Sequence, residues 1–423
     1  MKTKIDGDFI KNDTVFCIMP WVHFHALPNK KVLPCCMSNS DMPVSSTTSE
    51  DVLTMMNTEE YKKLRVGMLN GKRHPMCDRC YDVERLGQWS LRQSNNAVRG
   101  HDNIDAVNST NEDGSIDEFK LQYVDIRWSN ICNFKCRSCG PEFSSLHAKE
   151  FIEHKGGLEK LTQYFRMENM VVSCNETGEF FEKVKPHLKD TKEVYFAGGE
   201  SLITNEHYKM LDEWIRLKNT DIRLTYTTNF SVFKFKGKDV IDYWKKFKNI
   251  QIFASLDGMG KNLEYLRSGS EWTEIENNIK MLKEQVPHVQ FNLTPTISIW
   301  NVWHFPDFFE YLVKNQYIDP TDSQCLRLNM LTNPWWANIA ILPGFYKDRL
   351  FLKWNKIKEN QSYVVDVRNA AALVQETLKG ETRLDGIKEF FEIQEQTDKL
   401  RDESWIDAIP ELEDVYEWME ENS

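Results

Sequence analysis

The stretch Leu121-Gln122-Tyr123-Val124-Asp125-Ile126-Arg127-Trp128-Ser129-Asn130-Ile131-Cys132-Asn133-Phe134-Lys135-Cys136-Arg137-Ser138-Cys139-Gly140-Pro141 decides the reading of this chain. Its first half is a short apolar run that reads as a strand, and it passes directly into a loop with cysteines spaced C-x3-C-x2-C. Three closely spaced thiolates suit three corners of a cubane iron–sulfur cluster, because soft irons favour sulfur. The missing fourth protein ligand leaves one iron open to substrate or cofactor. A structural zinc site ordinarily wants four protein ligands, and the fourth is absent locally.

Working outward, short apolar runs alternate with amphipathic stretches. Residues 121–126, 193–196, 223–226, 250–255, 289–297 and 325–330 read as strands. Between them, 207–217, 240–247, 272–284 and 305–313 carry apolar residues at spacings of three and four and read as helices. Strands that alternate with helices imply right-handed βαβ units and a parallel sheet, open or curled into a partial barrel, with ligands meeting loops at the strands' C-terminal ends. The polar, acidic segment 101–119 reads as a linker, which places a Cys-rich domain at 1–100, the α/β domain at 120–333 and a helical, aromatic region at 334–423.

The length of 423 residues leaves room for roughly two or three domains at about 150 residues each. With 41% hydrophobic and 12% aromatic residues the chain has material for packed interiors, which excludes a disordered or collagen-like class. The formal charge of −11 offers no basic groove for long nucleic acid. The first twenty residues lack the apolar core of a signal peptide and no 18-residue apolar run occurs, so a soluble chain in the cytoplasm, with no membrane partner, is expected. A reducing compartment makes structural disulfides improbable for the ten cysteines and leaves metal ligation as the main alternative.

The cysteine loop after a first strand resembles that of the radical S-adenosylmethionine (SAM) superfamily, whose members carry C-x3-C-x2-C there in a partial (β/α)6 TIM-like barrel. The resemblance continues downstream. The second strand is followed by Gly198-Gly199-Glu200, which resembles the Gly-Gly-Glu element that holds the methionine amino group. The third strand ends Tyr226-Thr227-Thr228-Asn229 and the fourth Ala254-Ser255-Leu256-Asp257-Gly258, and Tyr265-Leu266-Arg267-Ser268-Gly269 follows. By that resemblance Cys132, Cys136 and Cys139 hold a 4Fe-4S cluster, Ser255 meets the ribose, Arg267 the methionine carboxylate, and Asn229 and Asp257 are further cofactor contacts. Arg267 also makes sense unaided, since guanidinium forks pair bidentately with carboxylates. The chain departs from the family pattern at Ser138, where many members carry an aromatic residue against adenine.

The N-terminal cysteines form a second group, Cys17 before Met19-Pro20-Trp21, the pair Cys35-Cys36 after Pro34, and Cys77-Asp78-Arg79-Cys80. They resemble the twitch or SPASM auxiliary-cluster modules of the same superfamily, although such modules more often follow the barrel. Cys17, Cys35, Cys77 and Cys80 are the expected ligands, with Cys36 able to replace Cys35, and an auxiliary 4Fe-4S cluster or a structural zinc is the expected occupant. His23 and His25 are read as solvent-facing strand residues rather than ligands, and Cys174 and Cys325 as ordinary buried cysteines. Trp335, Trp336, Ser298, Asn301 and Trp303 either line a substrate pocket or pack.

The resemblance implies reductive cleavage of SAM to a 5′-deoxyadenosyl radical that takes hydrogen from a substrate. It further implies an electron donor such as flavodoxin or ferredoxin. A peptide or protein side chain is the leading substrate class and a nucleotide or other small metabolite the runner-up. A metal-stabilised binding protein without turnover is the rival of a different class. A peptide would call for an exposed groove near the N-terminal module, and a metabolite only a closed pocket.

Overall fold

The run at 121–126 forms a strand over Tyr123–Ile126 because its alternation buries Val124 and Ile126 on one face while Asp125 points to the other. The computed structural model describes residues 5–423, so the first four residues of the N-terminal stretch lie outside it. In chain order the strands are β1 (His23–Ala26), β2 (Lys31–Leu33), β3 (Ser45–Ser46), β4 (Tyr123–Ile126), β5 (Lys135–Cys136), β6 (Glu193–Phe196) and β7 (Arg223–Thr228). They continue with β8 (Lys234–Phe235), β9 (Lys238–Asp239), β10 (Asn249–Ala254), β11 (Arg267–Ser268), β12 (Gln290–Leu293), β13 (Thr296–Ile297) and β14 (Asn329–Met330). The expected helices appear as Asn205–Arg216, Val240–Trp244, Trp272–Gln285 and Phe305–Lys314.

The chain divides into two compact units, one made of residues up to Ile131 with Met167–Thr225 and Lys246–Asn249, the other of Cys132–Arg166, Tyr226–Lys245 and Ile250–Ser423. In the first unit β4 pairs in parallel with β6 on one side and with β1 on the other, and β2 and β3 extend the sheet antiparallel beyond β1. The β1–β4 register runs from His23 opposite Tyr123 to Ala26 opposite Ile126. Phe24, Val124, Val194 and Phe196 are each at most 3% exposed, and burial of such side chains contributes roughly 1.5–3 kcal/mol apiece. Phe24 meets Phe119 and Phe180, and Phe180 meets Trp128.

The cysteine-bearing segment thus contributes β1 to the same sheet as β4, with Phe24 opposite Val124. The expected linker at 101–119 carries a 3-10 turn over His101–Asn103 and a helix over Ile104–Asn108. It is tied down by polar side chains: Asn108 exchanges two hydrogen bonds with the backbone of Ile5, Asn103 bonds Gln122, and Trp21 Nε1 donates to Thr110. Asn103 and Thr110 are buried in these contacts, while Asp102, Asp105, Glu112, Asp113, Asp117 and Glu118 are exposed.

His23 and His25 are likewise not solvent-facing; they are 0% and 4% exposed. His25 Nδ1 lies 3.2 Å from the Asp125 carboxylate, whose other oxygen lies 2.8 Å from Arg127 Nε. Burial alone pushes the Asp125 carboxyl up, but Arg127 and then His25 hold it below the usual carboxylate range. His23 stacks on Tyr123, bonds its carbonyl through Nδ1, and buries Nε2 without a hydrogen-bond partner.

In the second unit β10 and β12 pair in parallel, and β5 pairs antiparallel with β11. The strand expected at 325–330 is only Asn329–Met330, because a turn at Asp322 bonds the Cys325 amide and leaves Leu326 a lone bridge to Leu293. The C-terminal region is helical as expected, with helices Gly344–Lys358, Val365–Thr377, Leu384–Arg401 and Glu413–Glu421. Trp336, half-buried, packs on Trp300 and Phe390. Cys174 and Cys325 are buried as expected. No helix among the described residues is long and apolar enough to cross a membrane.

Two stability measurements follow from these contacts. Phe24→Ala is expected to cost about 3–5 kcal/mol in urea unfolding, as for a buried Phe leaving a cavity. Burial lowers the His23 pKa to about 3, so the unfolded chain binds a proton that the native one refuses as pH falls below about 6.5. Stability should therefore fall between about pH 6.5 and 3, with Asp125 adding a further loss below about pH 4. His23→Phe should flatten the upper part of that profile.

Candidate cofactor and cluster sites

In the first unit Cys17, Cys35, Cys77 and Cys80 line one cavity with Met19, Tyr81 and Arg92. Each is placed by local chemistry. Cys17 precedes the helix Met19–Val22, which Pro20 helps to start. Cys35 sits in a turn that the Ser38 amide closes on its carbonyl at 3.2 Å. Cys77 ends a 3-10 turn begun by Pro75, and Cys80 lies one turn on in the helix Asp78–Arg85, so the C-x2-C spacing puts both thiols on one side. Cys36 does not line the cavity and is exposed.

Arg92 closes the wall of this cavity. Its guanidinium is fixed by Glu84 at 2.6 and 2.8 Å and by the carbonyls of Asp13 and Phe16 at 3.0 and 2.7 Å. Burial pushes all four thiols up, and at Cys17 and Cys77 the neighbouring thiols push further. Ligation removes those protons and gives the buried sulfur charge a partner. An all-sulfur donor set in a cavity with apolar walls has the donor chemistry of an iron–sulfur cluster. Among the described residues no three Cys, His, Asp or Glu stand at the spacing that grips a single metal ion.

In the second unit the C-x3-C-x2-C loop is pinned by β5 against β11, with Cys136 opposite Arg267. Cys136 is buried, and Cys132 and Cys139 are half-buried. Burial pushes Cys139 up to about 12, and Cys136 and Cys132 push it further. The Ser144 hydroxyl donates to the Phe134 carbonyl at 2.6 Å, and His147 Nε2 lies 3.1 Å from the Cys136 carbonyl. Asn229 Nδ2 donates to Asn133 Oδ1 at 2.8 Å, so this expected cofactor contact is engaged with the loop itself.

Arg267 Nη1 stands 3.8 Å from Cys136 Sγ, and its Nε donates to Asp257 Oδ2 at 2.7 Å. Asp257 is therefore the counter-charge of Arg267, held in turn by the Thr296 amide at 2.8 Å. Burial opposes the charge on Arg267, yet Asp257 and then Cys136 raise its pKa further. Ser255 is half-buried at the end of β10, its amide bonded to the Thr228 carbonyl at 2.8 Å.

The Gly-Gly-Glu element lies in the first unit, after β6. Both glycines have positive φ, 86° at Gly198 and 52° at Gly199. A Cβ at Gly199 would stand 2.3 Å from the carbonyl oxygen of Ile131, the residue before Cys132, and one at Gly198 would meet Arg127 at 2.8 Å. The Glu200 amide bonds that same Ile131 carbonyl at 2.7 Å, while its carboxylate accepts from the Leu202 amide. The glycines thus let two backbones touch. Sequence reasoning missed Arg92 and Arg137, and only Arg137, inside the cysteine motif, had a position that could have drawn notice.

A parallel α/β fold with a three-cysteine loop after a strand and a separate four-thiol cavity defines an iron–sulfur protein with two cysteine sites. Residues 126–312 match the radical SAM superfamily, and residues 17–81 match SPASM, an iron–sulfur cluster-binding domain. The chain therefore carries a radical SAM domain over residues 126–312 and, ahead of it in sequence, a SPASM domain over residues 17–81. The first match contains all three loop cysteines, and the second begins at Cys17 and closes one residue after Cys80.

No curated protein matches. Among solved structures, anSMEcpe with bound AdoMet is 17% identical with a TM-score of 0.39, covering 58% of this chain and 61% of that one. Streptococcus suis SuiB bound to S-adenosylmethionine is 13% identical with a TM-score of 0.35, covering 75% and 66%. SuiB bound to the precursor peptide SuiA is 14% identical with a TM-score of 0.36, covering 74% and 68%.

Two substitutions check this geometry. Gly199→Ala should lower stability measurably in urea, because the new Cβ collides with backbone that cannot turn aside, whereas Gly237→Ala, with no atom within 4 Å, should cost only its strained φ. Asp257→Asn should cost about 3–5 kcal/mol in the same assay, the typical result of stripping one member from a buried pair.

Proposed function

We propose that this chain is a radical SAM enzyme that takes a hydrogen atom from a peptide or protein side chain and oxidises or otherwise modifies it with help from an auxiliary iron–sulfur cluster. The observation that carries the reading is the pairing of Cys136 with Arg267 across β5 and β11. It sets a three-thiol loop beside a guanidinium able to take a carboxylate. Cys132, Cys136 and Cys139 would hold a 4Fe-4S cluster, whose chemistry when bound would be to supply the low-potential electron for reductive cleavage of SAM.

The chain's own residues do the positioning. Cys132, Cys136 and Cys139 hold three corners and leave the fourth open. Arg267, kept charged by Asp257, takes the methionine carboxylate, with Ser255 toward the ribose and Asn229 bracing the loop. Gly198, Gly199 and Glu200 present the strap for the methionine amino group. Cys17, Cys35, Cys77 and Cys80 hold the auxiliary cluster, whose role is to take up the substrate's electron or to bind substrate. A one-electron donor of the flavodoxin or ferredoxin type completes the scheme, and the ten free thiols suit a reducing cytoplasm.

The peptide reading rests on an open cleft of about 900 Å³ beside the four-thiol cavity. Arg92 lines both. Asp6, Asp8, Asp13 and Glu84 line the cleft together with Trp89, which is 68% exposed. An exposed aromatic among acidic groups beside the auxiliary site suits an extended chain better than a closed metabolite pocket does.

The test is 5′-deoxyadenosine formation by anaerobically reduced protein, together with iron, sulfide and zinc per chain. Wild type should form the product and hold two cubanes. Changing Cys132, Cys136 and Cys139 together to Ala should abolish the product and leave one cubane in the N-terminal site. No 5′-deoxyadenosine from a fully loaded wild type would leave a binding protein instead, and zinc in place of the second cubane would make the N-terminal site structural.

A further inference from the structure

The radical SAM match ends at residue 312, yet the helix Leu384–Arg401 and the turn after it reach back to the cysteine loop through buried charge. Arg137, between the second and third loop cysteines, donates to Gln394 Oε1 at 3.0 Å and to Asp398 Oδ1 and Glu403 Oε2 at 2.5 Å each. Its guanidinium lies 3.6 Å from the centre of the Tyr265 ring, and its Nε donates to the Tyr265 carbonyl. Tyr265 donates its own hydroxyl to Asp398 at 2.9 Å, and the Trp405 amide donates to the other Asp398 oxygen at 2.7 Å. Ser268, next to Arg267, donates to Glu403 at 2.7 Å. On the loop's other flank Arg401 donates to Glu150 and to the Lys135 carbonyl, and Lys135 pairs with Glu150 at 2.8 Å.

Two carboxylates, Asp398 and Glu403, therefore each hold both the cysteine loop and the Tyr265–Ser268 segment. They fix the register in which Cys136 faces Arg267. Nothing in the sequence pattern of the loop requires this, because β5 and β11 are two residues each and share a single short pairing. Such a pair gains its geometry from what grips it. Charge-assisted hydrogen bonds shielded from water are directional enough to do so.

We propose that the segment 394–405 is a positioning element of the SAM site, in which Asp398 and Glu403 lock the cysteine loop to the Arg267 segment and so set where the cofactor carboxylate lies relative to the open iron. This rests on the radical SAM reading of the loop. Asp398 and Glu403 touch neither sulfur nor Arg267 and act through Arg137, Tyr265 and Ser268.

The test compares wild type with Glu403→Gln, Ser268→Ala and Asp398→Asn, each fully reconstituted. The expected result is wild-type iron content, a SAM dissociation constant raised at least tenfold in Asp398→Asn, and a changed cluster electron-paramagnetic-resonance signal with SAM bound but not without it. Smaller changes in the same direction are expected for Ser268→Ala and Glu403→Gln, and Asp398→Glu should restore part of the affinity. Wild-type affinity and spectra in all three variants would overturn the proposal.

A second readout uses metal-free protein, so it does not depend on cofactor chemistry. Loss of the lock should speed alkylation of Cys132, Cys136 and Cys139 and leave Cys17 and Cys80 unchanged. Equal acceleration at both sites would mean general loosening and would overturn the positioning role. Faster alkylation confined to the loop, in a protein whose wild type binds no SAM, would instead keep the lock and overturn the radical SAM reading.

Discussion

The first unit is organised around one buried carboxylate. Asp125 is fully shielded from water at the middle of the β1–β4 seam, where an unpartnered charge would cost several kcal/mol. It is tolerable only because His25 reaches it from β1 and Arg127 from the end of its own strand. That requirement fixes the register of β1, since a slip of one residue would turn His25 to the opposite face and bring Phe24 against the charge. With β1 fixed, the turn that follows β2 places Cys35, and the helix that precedes β1 places Cys17. The cysteine module is thus built as an extension of the sheet it precedes. Its unusual position in the chain needs no flexible tether.

Arg127 has a second duty. Its side chain lies against Gly198, where any Cβ would meet it, and the neighbouring Gly199 lies against the Ile131 carbonyl. The same guanidinium that neutralises Asp125 stacks over Tyr195 of β6 at 4.8 Å. Strand ends, glycine strap and the residue before the first loop cysteine are therefore packed as one piece of backbone. The glycine pair in the motif is a steric requirement of this packing.

Much of this was legible in the sequence, and the reasons differ by element. Strands at 193–196 and 223–226, the latter running on to Thr228, and the helix from Trp272 were plain because apolar periodicity alone decides a half-buried element. The three-cysteine loop was plain because ligand spacing is local. The segment 101–119 has the composition of an exposed loop, and only the folded chain shows that Asn103, Asn108 and Thr110 within it turn side-chain hydrogen bonds onto backbone. His23 and His25 were misread for a related reason: alternation with Phe24 looks like an amphipathic edge, and only the partner across the seam reveals two polar residues in an interior. Cys35 could not be told from Cys36 by spacing, since adjacent residues differ only in which way the turn faces them. Arg137 and its carboxylates were invisible because more than 250 residues separate them in the chain.

The two cysteine sites share an electrostatic plan that their sequences do not. Each pairs its thiols with one guanidinium, and each guanidinium is fixed by a carboxylate behind it, Arg92 by Glu84 and Arg267 by Asp257. Thiolate-bound clusters carry net negative charge, so a buried cation beside the sulfur offsets part of the cost of sinking them into protein, and hydrogen bonds to sulfur tune the potential. A free lysine could supply charge but not direction, whereas a guanidinium held by its own carboxylate keeps its remaining donors aimed. The difference lies in what is left over. Four thiols, Tyr81 and Met19 close the N-terminal cavity around Arg92, while the three-thiol loop leaves Arg267 with donors to spare. The same device thus surrounds one guanidinium with thiols and leaves the other with unspent donors.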